Sequence, residues 1–358
     1  NFQHSKNEVY ISMATKKSKR FIQVALLVST VVSLFFVPWP IVFAWLKPLP
    51  DSIQQQVDAA TDYGFEGIIV CVDQANNEAQ FYTAGYHNRV QKIPARPDAL
   101  FKIASVGKLY DAVAITKLVN DDQLDLNETL ANYFPELANR IENADEITLK
   151  MLVQHRSGIP NYTNVPNFWM NPPETNQETL ELVLDQPANF SPGEDYEYSN
   201  TNYLLLTELI EKTVGYSKFQ YIKEEILNPL QLKNTYGSLQ EIDMNRLMSG
   251  YYVGIEGDIK TDDNGSMIAT AEDVAKFIRA LNDKSIFTEN EAEIYADLYK
   301  YGHTGLIPGY QTIANYHKKL DAVVIQFTNT TDFNGYEWSL SEINYNRIIK
   351  ILERKQNQ

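Results

Sequence analysis

The sequence predicts an α+β fold. Strands from both ends of the chain form one antiparallel sheet flanked by helices, and a mostly helical region is inserted between the two halves. Three observations carry this. Residues 67–72 and 79–86 are apolar, β-branched and aromatic runs joined by a polar turn from Asp73 to Glu78. Residues 309–316 and 322–329 repeat that pattern near the C-terminus. The stretches between them, such as 105–120 and 202–214, read as helices instead.

The elements follow in order. Met13 is the expected start of translation, with residues 1–12 upstream of it, and the basic cluster Lys16, Lys17, Lys19 and Arg20 follows. Residues 21–46 carry no charge. At 1.5 Å per helical residue they are long enough to cross a hydrocarbon core of ~30 Å. Pro38 and Pro40 are expected to kink or stop that helix. The preceding lysines place the N-terminus in the cytoplasm and the rest of the chain outside, in the periplasm or beyond the cell. The segment is a membrane anchor, or a signal segment cut after residues 42–44; its length favours the anchor. Residues 47–60 are expected to be linker and first helix, an amphipathic run over 51–63. A single domain is expected over 61–358. Helices are also expected over 147–155 and 337–354, and 161–174 is a loop rich in Pro and Asn.

Composition narrows the function. With 46 acidic against 31 basic residues the formal net charge is −15, so the surface repels phosphate backbones and nucleic acid is excluded as a partner. The one cysteine, Cys71, lies in an apolar run and reads as a buried structural thiol. The five histidines form no H-x-H or H-x-x-x-H pair, so neither metal nor cofactor is inferred.

Three short patterns carry chemistry. Ser105 opens a helix, expected to be amphipathic, and Lys108 stands one turn later on the same face. A serine hydroxyl needs a base within hydrogen-bond reach, and a lysine serves when burial lowers its pKa. Tyr198 and Asn200 flank Ser199 between a turn and an apolar helix. A tyrosine beside a cation approaches phenolate character and shuttles a proton. The asparagine amide can hold Lys108 and a substrate carbonyl. His303, Thr304 and Gly305 open a strand of small residues against which a substrate backbone can lie. His303 and Thr304 are candidates for binding a carboxylate or tuning the relay.

Ser105-x-x-Lys108, Tyr198-x-Asn200 and His303-Thr304-Gly305 resemble, in order and spacing, the three motifs of the serine β-lactamase and penicillin-binding-protein superfamily. The variant resembles the branch of class C β-lactamases, DD-carboxypeptidases, D-aminopeptidases and related esterases. Residues 147–160, ending His155-Arg156-Ser157-Gly158-Ile159-Pro160, resemble a further segment of that branch. The resemblance spans about residue 60 to the C-terminus. It implies a β-lactamase/transpeptidase-like fold with Ser105 as the acylated nucleophile. Lys108 and Tyr198 then share acid–base work, Asn200 positions Lys108 and substrate, and His303 stands where related enzymes have lysine. The backbone N–H groups of Ser105 and Leu306 would form the oxyanion hole. His155 and Arg156 are expected to be structural.

The implied activity is a serine hydrolase cleaving a small-molecule or peptide substrate, of DD-carboxypeptidase or D-aminopeptidase type. A β-lactamase, a small-ester esterase and a membrane-held penicillin or peptidoglycan sensor that acylates without turnover remain open. The short N-terminal segment, with no signalling domain, counts against the sensor.

Overall fold

The computed structural model describes residues 20–75 and 77–357. The chain divides into two compact units, residues 1–48 and 49–358.

In the first unit, the helical runs Arg20–Leu34 and Trp39–Leu46 are bent by 81°. Among the described residues no single helix is long and apolar enough to cross a membrane, and this bent pair meets that test only together, by length and composition. The break falls at the prolines that predicted it. Pro38 caps the second run with no side-chain hydrogen bond, and a proline biases its predecessor away from helical backbone. The indole Nε1 of Trp39 takes up the Leu34 carbonyl at 2.9 Å. Apolar side chains, among them Phe21, Leu27 and Phe36, are exposed. Met13 and the lysines before Arg20 lie outside the described residues.

The second unit is built on a six-stranded antiparallel sheet. Its strands are β1 (Gly67–Gln74), β2 (Gln80–Asn88), β3 (Ile93–Pro94), β4 (His303–Ile307), β5 (Tyr310–His317) and β6 (Ala322–Thr328). Their order is β3-β2-β1-β6-β5-β4. Strands from the two ends of the domain meet at the centre, where Cys71 faces Ile325. The expected antiparallel sheet from both ends of the domain is thus observed, with β3 as an additional edge strand.

Helices cover both faces, which is why β1 reads as a continuous apolar run rather than an alternating one. Ile69, Cys71, Ile325 and Phe327 point into the main core with Phe277 and Ile278 of the helix Ala271–Asn282. On the other face, Gln326 bonds Ser341 and Asn344 of the C-terminal helix Glu337–Gln356. Gln56, on the helix Ile53–Ala60, bonds Asn344 at 2.7 Å and accepts from Arg347 at 2.7 Å. The expected first helix is thus observed as Ile53–Ala60, fastened to the domain by buried side chains.

The helix Gly107–Asn120, here α1, also differs from expectation. It buries Leu109, Tyr110, Ala112, Val113, Ala114, Ile115 and Leu118, apolar on nearly every side rather than amphipathic. It is a core helix, packed against the helix Asn200–Val214, here α2, and the helix Glu289–Ala296, with Tyr110 stacked on Phe277. A short sheet of Phe101–Lys102, Ile268–Ala269 and Thr235–Tyr236 delivers the chain to its N-terminus.

Candidate active site

Ser105 sits on a single 3-10 turn, Ala104–Val106, between that short sheet and α1. Ala104 has φ of +50°, a left-handed backbone costing an L-residue about 1–2 kcal/mol. The Ala104 N–H donates to Ser266 Oγ at 2.8 Å and Ile103 N–H to the Met267 carbonyl at 3.0 Å. These bonds hold the turn so that Ser105 faces open space while α1 is buried behind it.

Lys108 follows one turn later. Its Nζ lies 3.2 Å from Ser105 Oγ and 2.8 Å from Asn200 Oδ1. The rings of Tyr198 and Tyr203 lie 5.1 and 5.2 Å from it. Asp111, the acid nearest in sequence, is committed to Lys218 at 2.9 Å. Burial therefore dominates and lowers the Lys108 pKa to about 7, with Asp111 opposing and Lys218 assisting. Near neutral pH a large share of Lys108 is an amine with a free lone pair.

Tyr198 Oη is 2.8 Å from Ser105 Oγ. Burial pushes its phenol up to about 12, against the lowering effect of the Ser105 bond. The phenolate character expected from its sequence context is not what this environment favours: at neutral pH Tyr198 is a proton donor.

Asn200 opens α2, and its amide is fixed from behind. Nδ2 donates to Asn161 Oδ1 and Thr163 Oγ1, both at 3.3 Å, and its backbone N–H donates to Asn161 Oδ1 at 3.0 Å. Oδ1 is thereby turned toward Lys108. The N–H groups expected to reach a substrate carbonyl are used within the protein. Asn161 was not singled out by the sequence, because its role exists only through this contact.

His155 and Arg156 are structural, as expected. His155 Nδ1 accepts the Ser199 N–H at 3.2 Å, and its ring packs 4.4 Å from the Tyr198 ring. Burial, with Lys108 and Lys300, lowers its pKa to about 3, so it is a neutral shelf for the phenol. Arg156 clamps the turn before Tyr198 by bonding the Gly193 carbonyl.

The third pattern is the free edge strand β4. A side-chain carbon at Gly305 would fall 2.6 Å from the Ile103 carbonyl and 3.2 Å from Ser105 N. Only glycine lets the strand approach the nucleophile's turn so closely. Thr304 and Leu306 line the cavity. His303 is buried, and both its ring nitrogens are engaged. Nε2 lies 3.0 Å from Tyr299 Oη, and Nδ1 bonds the Thr304 carbonyl. Burial first, then Lys300, holds its pKa well below the usual range. A neutral imidazole with both nitrogens occupied is not a cation for a carboxylate, contrary to one expectation for it.

Around these groups lies a cavity of about 630 Å³. Trp169, Phe333 and Trp338 form part of its wall, with Trp169 and Phe333 in edge contact at 5.9 Å. Cys71 is remote from it, buried in the sheet.

A serine with a depressed-pKa lysine, a neutral phenol and an oriented amide, set beside a free strand edge, defines a nucleophilic-serine site. Residues 49–305 match the beta-lactamase family, and the chain belongs to that family. Among solved structures, the D-amino acid amidase of Ochrobactrum anthropi superposes with TM-score 0.75 at 23% identity, covering 85% of this chain and 99% of the amidase. A penicillin-binding protein from Bacillus halodurans gives TM-score 0.70 at 19% identity, covering 84% and 99%. At these identities the likeness establishes the fold. Protein flp of Staphylococcus aureus is 28% identical over 193 residues, 52% of this chain and 39% of that protein. A putative D-alanyl-D-alanine carboxypeptidase of Salmonella agona is 26% identical over 221 residues, 58% and 49%. The chain thus spans less than half the length of the curated relatives it matches.

Proposed function

We propose that this protein is a serine hydrolase that cleaves an amide or ester of a D-amino-acid peptide through an ester on Ser105. The observation that carries the reading is the pair of contacts on one hydroxyl: Lys108 Nζ at 3.2 Å and Tyr198 Oη at 2.8 Å from Ser105 Oγ. Neutral Lys108 takes the Ser105 proton as Oγ attacks the carbonyl carbon. The N–H groups of Ser105 and Leu306, two residues that line the cavity, donate to the developing oxyanion in this reading. Collapse breaks the bond to the leaving nitrogen or oxygen, which takes the Tyr198 proton. The Lys108 ammonium then reprotonates the phenolate. Water hydrolyses the ester by the same route.

We propose further that residues 21–46 hold the domain to a membrane, on its outer side. The supporting features are the uncharged segment, its exposed apolar side chains and the basic residues before it. Alkaline extraction of membranes from expressing cells should leave the full chain in the pellet, and external protease should reach its C-terminus. Release into the supernatant would refute the anchor.

The activity is tested on the purified full chain with three substrates: an N-acyl peptide ending in D-Ala-D-Ala, a chromogenic cephalosporin and a short nitrophenyl ester. The expected result is repeated turnover of the peptide. Turnover of the cephalosporin or ester alone would assign the site to those chemistries. A single burst on all three with no steady phase would make it a sensor.

A further inference from the structure

The described residues lining the catalytic cavity include no aspartate or glutamate, although the chain carries 46 of them. Its ionisable cationic side chains are Lys108 and Lys300. Lys108 is occupied by Asn200 and Ser105. Lys300 stands at the rim on the segment leading into β4. Among the described residues it forms no ion pair with a carboxylate. Its Nζ lies 5.7 Å from the Tyr299 ring, a loose contact.

We propose that Lys300 binds a free carboxylate on the substrate, so that the cavity selects anionic, carboxypeptidase-type substrates over those presenting a free amine. This deepens the hydrolase reading and rests on it. His303, which stands where the superfamily resemblance places a cation, is unsuited by its occupied nitrogens. Lys300, three residues earlier, is the cavity lysine not already engaged by Ser105 and Asn200. A substrate ammonium would meet the Lys300 ammonium and no acid, and like-charge juxtaposition in a cleft is unfavourable. A carboxylate would instead form a charge-assisted hydrogen bond with Lys300. Burial and Lys108 both lower the Lys300 pKa, and a bound carboxylate offsets both effects.

The test compares an N-acyl D-Ala-D-Ala peptide with its C-terminal amide, which shares the scissile bond and lacks the charge. Wild-type protein should favour the acid in kcat/KM by about tenfold or more, the usual strength of one hydrogen bond to a charged group. Lys300→Gln should remove that preference through KM, with amide turnover kept within about twofold, and Lys300→Glu should reverse it. His303→Gln should keep the preference. An acid preference unchanged in Lys300→Gln, or equal losses on both peptides, would overturn the assignment. If wild-type protein cleaves neither peptide, the reading as a D-amino-acid peptide hydrolase fails separately. The inference is then judged by protection of Ser105 from a fluorophosphonate: protection by the acid that Lys300→Gln abolishes supports it, and protection equal for acid and amide overturns it.

Discussion

Ser105→Ala should give a folded protein that takes up no label from a fluorophosphonate or a penicillin. The change deletes one oxygen from a half-buried turn and leaves the backbone bonds of Ile103 and Ala104 in place, so thermal unfolding should be close to wild type. Loss of labelling should be complete because, among the described residues, Lys108 bonds no side-chain hydroxyl but that of Ser105. Ser266 Oγ is held by the Ala104 N–H and the Met267 carbonyl, each at 2.8 Å. Thr163 Oγ1 is occupied by Asn200. The Cys71 thiol is buried in the sheet and its pKa is pushed up by that burial. Labelling of Ser105→Ala at the wild-type rate would remove the assignment.

Lys108→Ala should slow Ser105 acylation by ~10²–10⁴-fold, and Tyr198→Phe by a similar factor, the usual range for positioned acid–base groups. The two losses should differ in character. Without Lys108 the hydroxyl has no neutral base, so every acylating agent is affected. Without Tyr198 the attack step keeps its base but the leaving group has no donor. Amides, with poor leaving groups, should therefore suffer more than nitrophenyl esters. Pre-steady-state labelling separates the two. A loss below tenfold in both variants would mean that another group removes the proton.

Much of this site was legible in the sequence, because its parts are local. Ser105 and Lys108 share a helix turn, and Tyr198 and Asn200 bracket the start of α2. The two strand pairs were equally plain, each being a short apolar run bounded by polar turns. What escaped was tertiary. Asn161 matters only because Asn200 folds against it, and Lys300 only because acids are absent from a cavity lined by distant segments. The reading of α1 as amphipathic failed because its few polar positions, Lys108 and Asp111 among them, are themselves buried and partnered. How the first helix is fastened to the domain also escaped, because Gln56, polar in sequence, is buried against Asn344 and Arg347. The phenolate expected of Tyr198 failed for a related reason: proximity to a lysine is visible in a motif, while the burial that outweighs it is not.

The pH dependence of Ser105 acylation by a neutral nitrophenyl ester tests the central claim most directly. Only the unprotonated amine of Lys108 can accept the serine proton, and its pKa is lowered to about 7. The rate constant of wild-type protein should therefore climb about tenfold per pH unit below that value and level off above it, up to where the phenol near 12 begins to ionise. A profile flat from pH 5 to 9, or one that first rises near the ordinary lysine value of about 10.4, would contradict a buried lysine as the base.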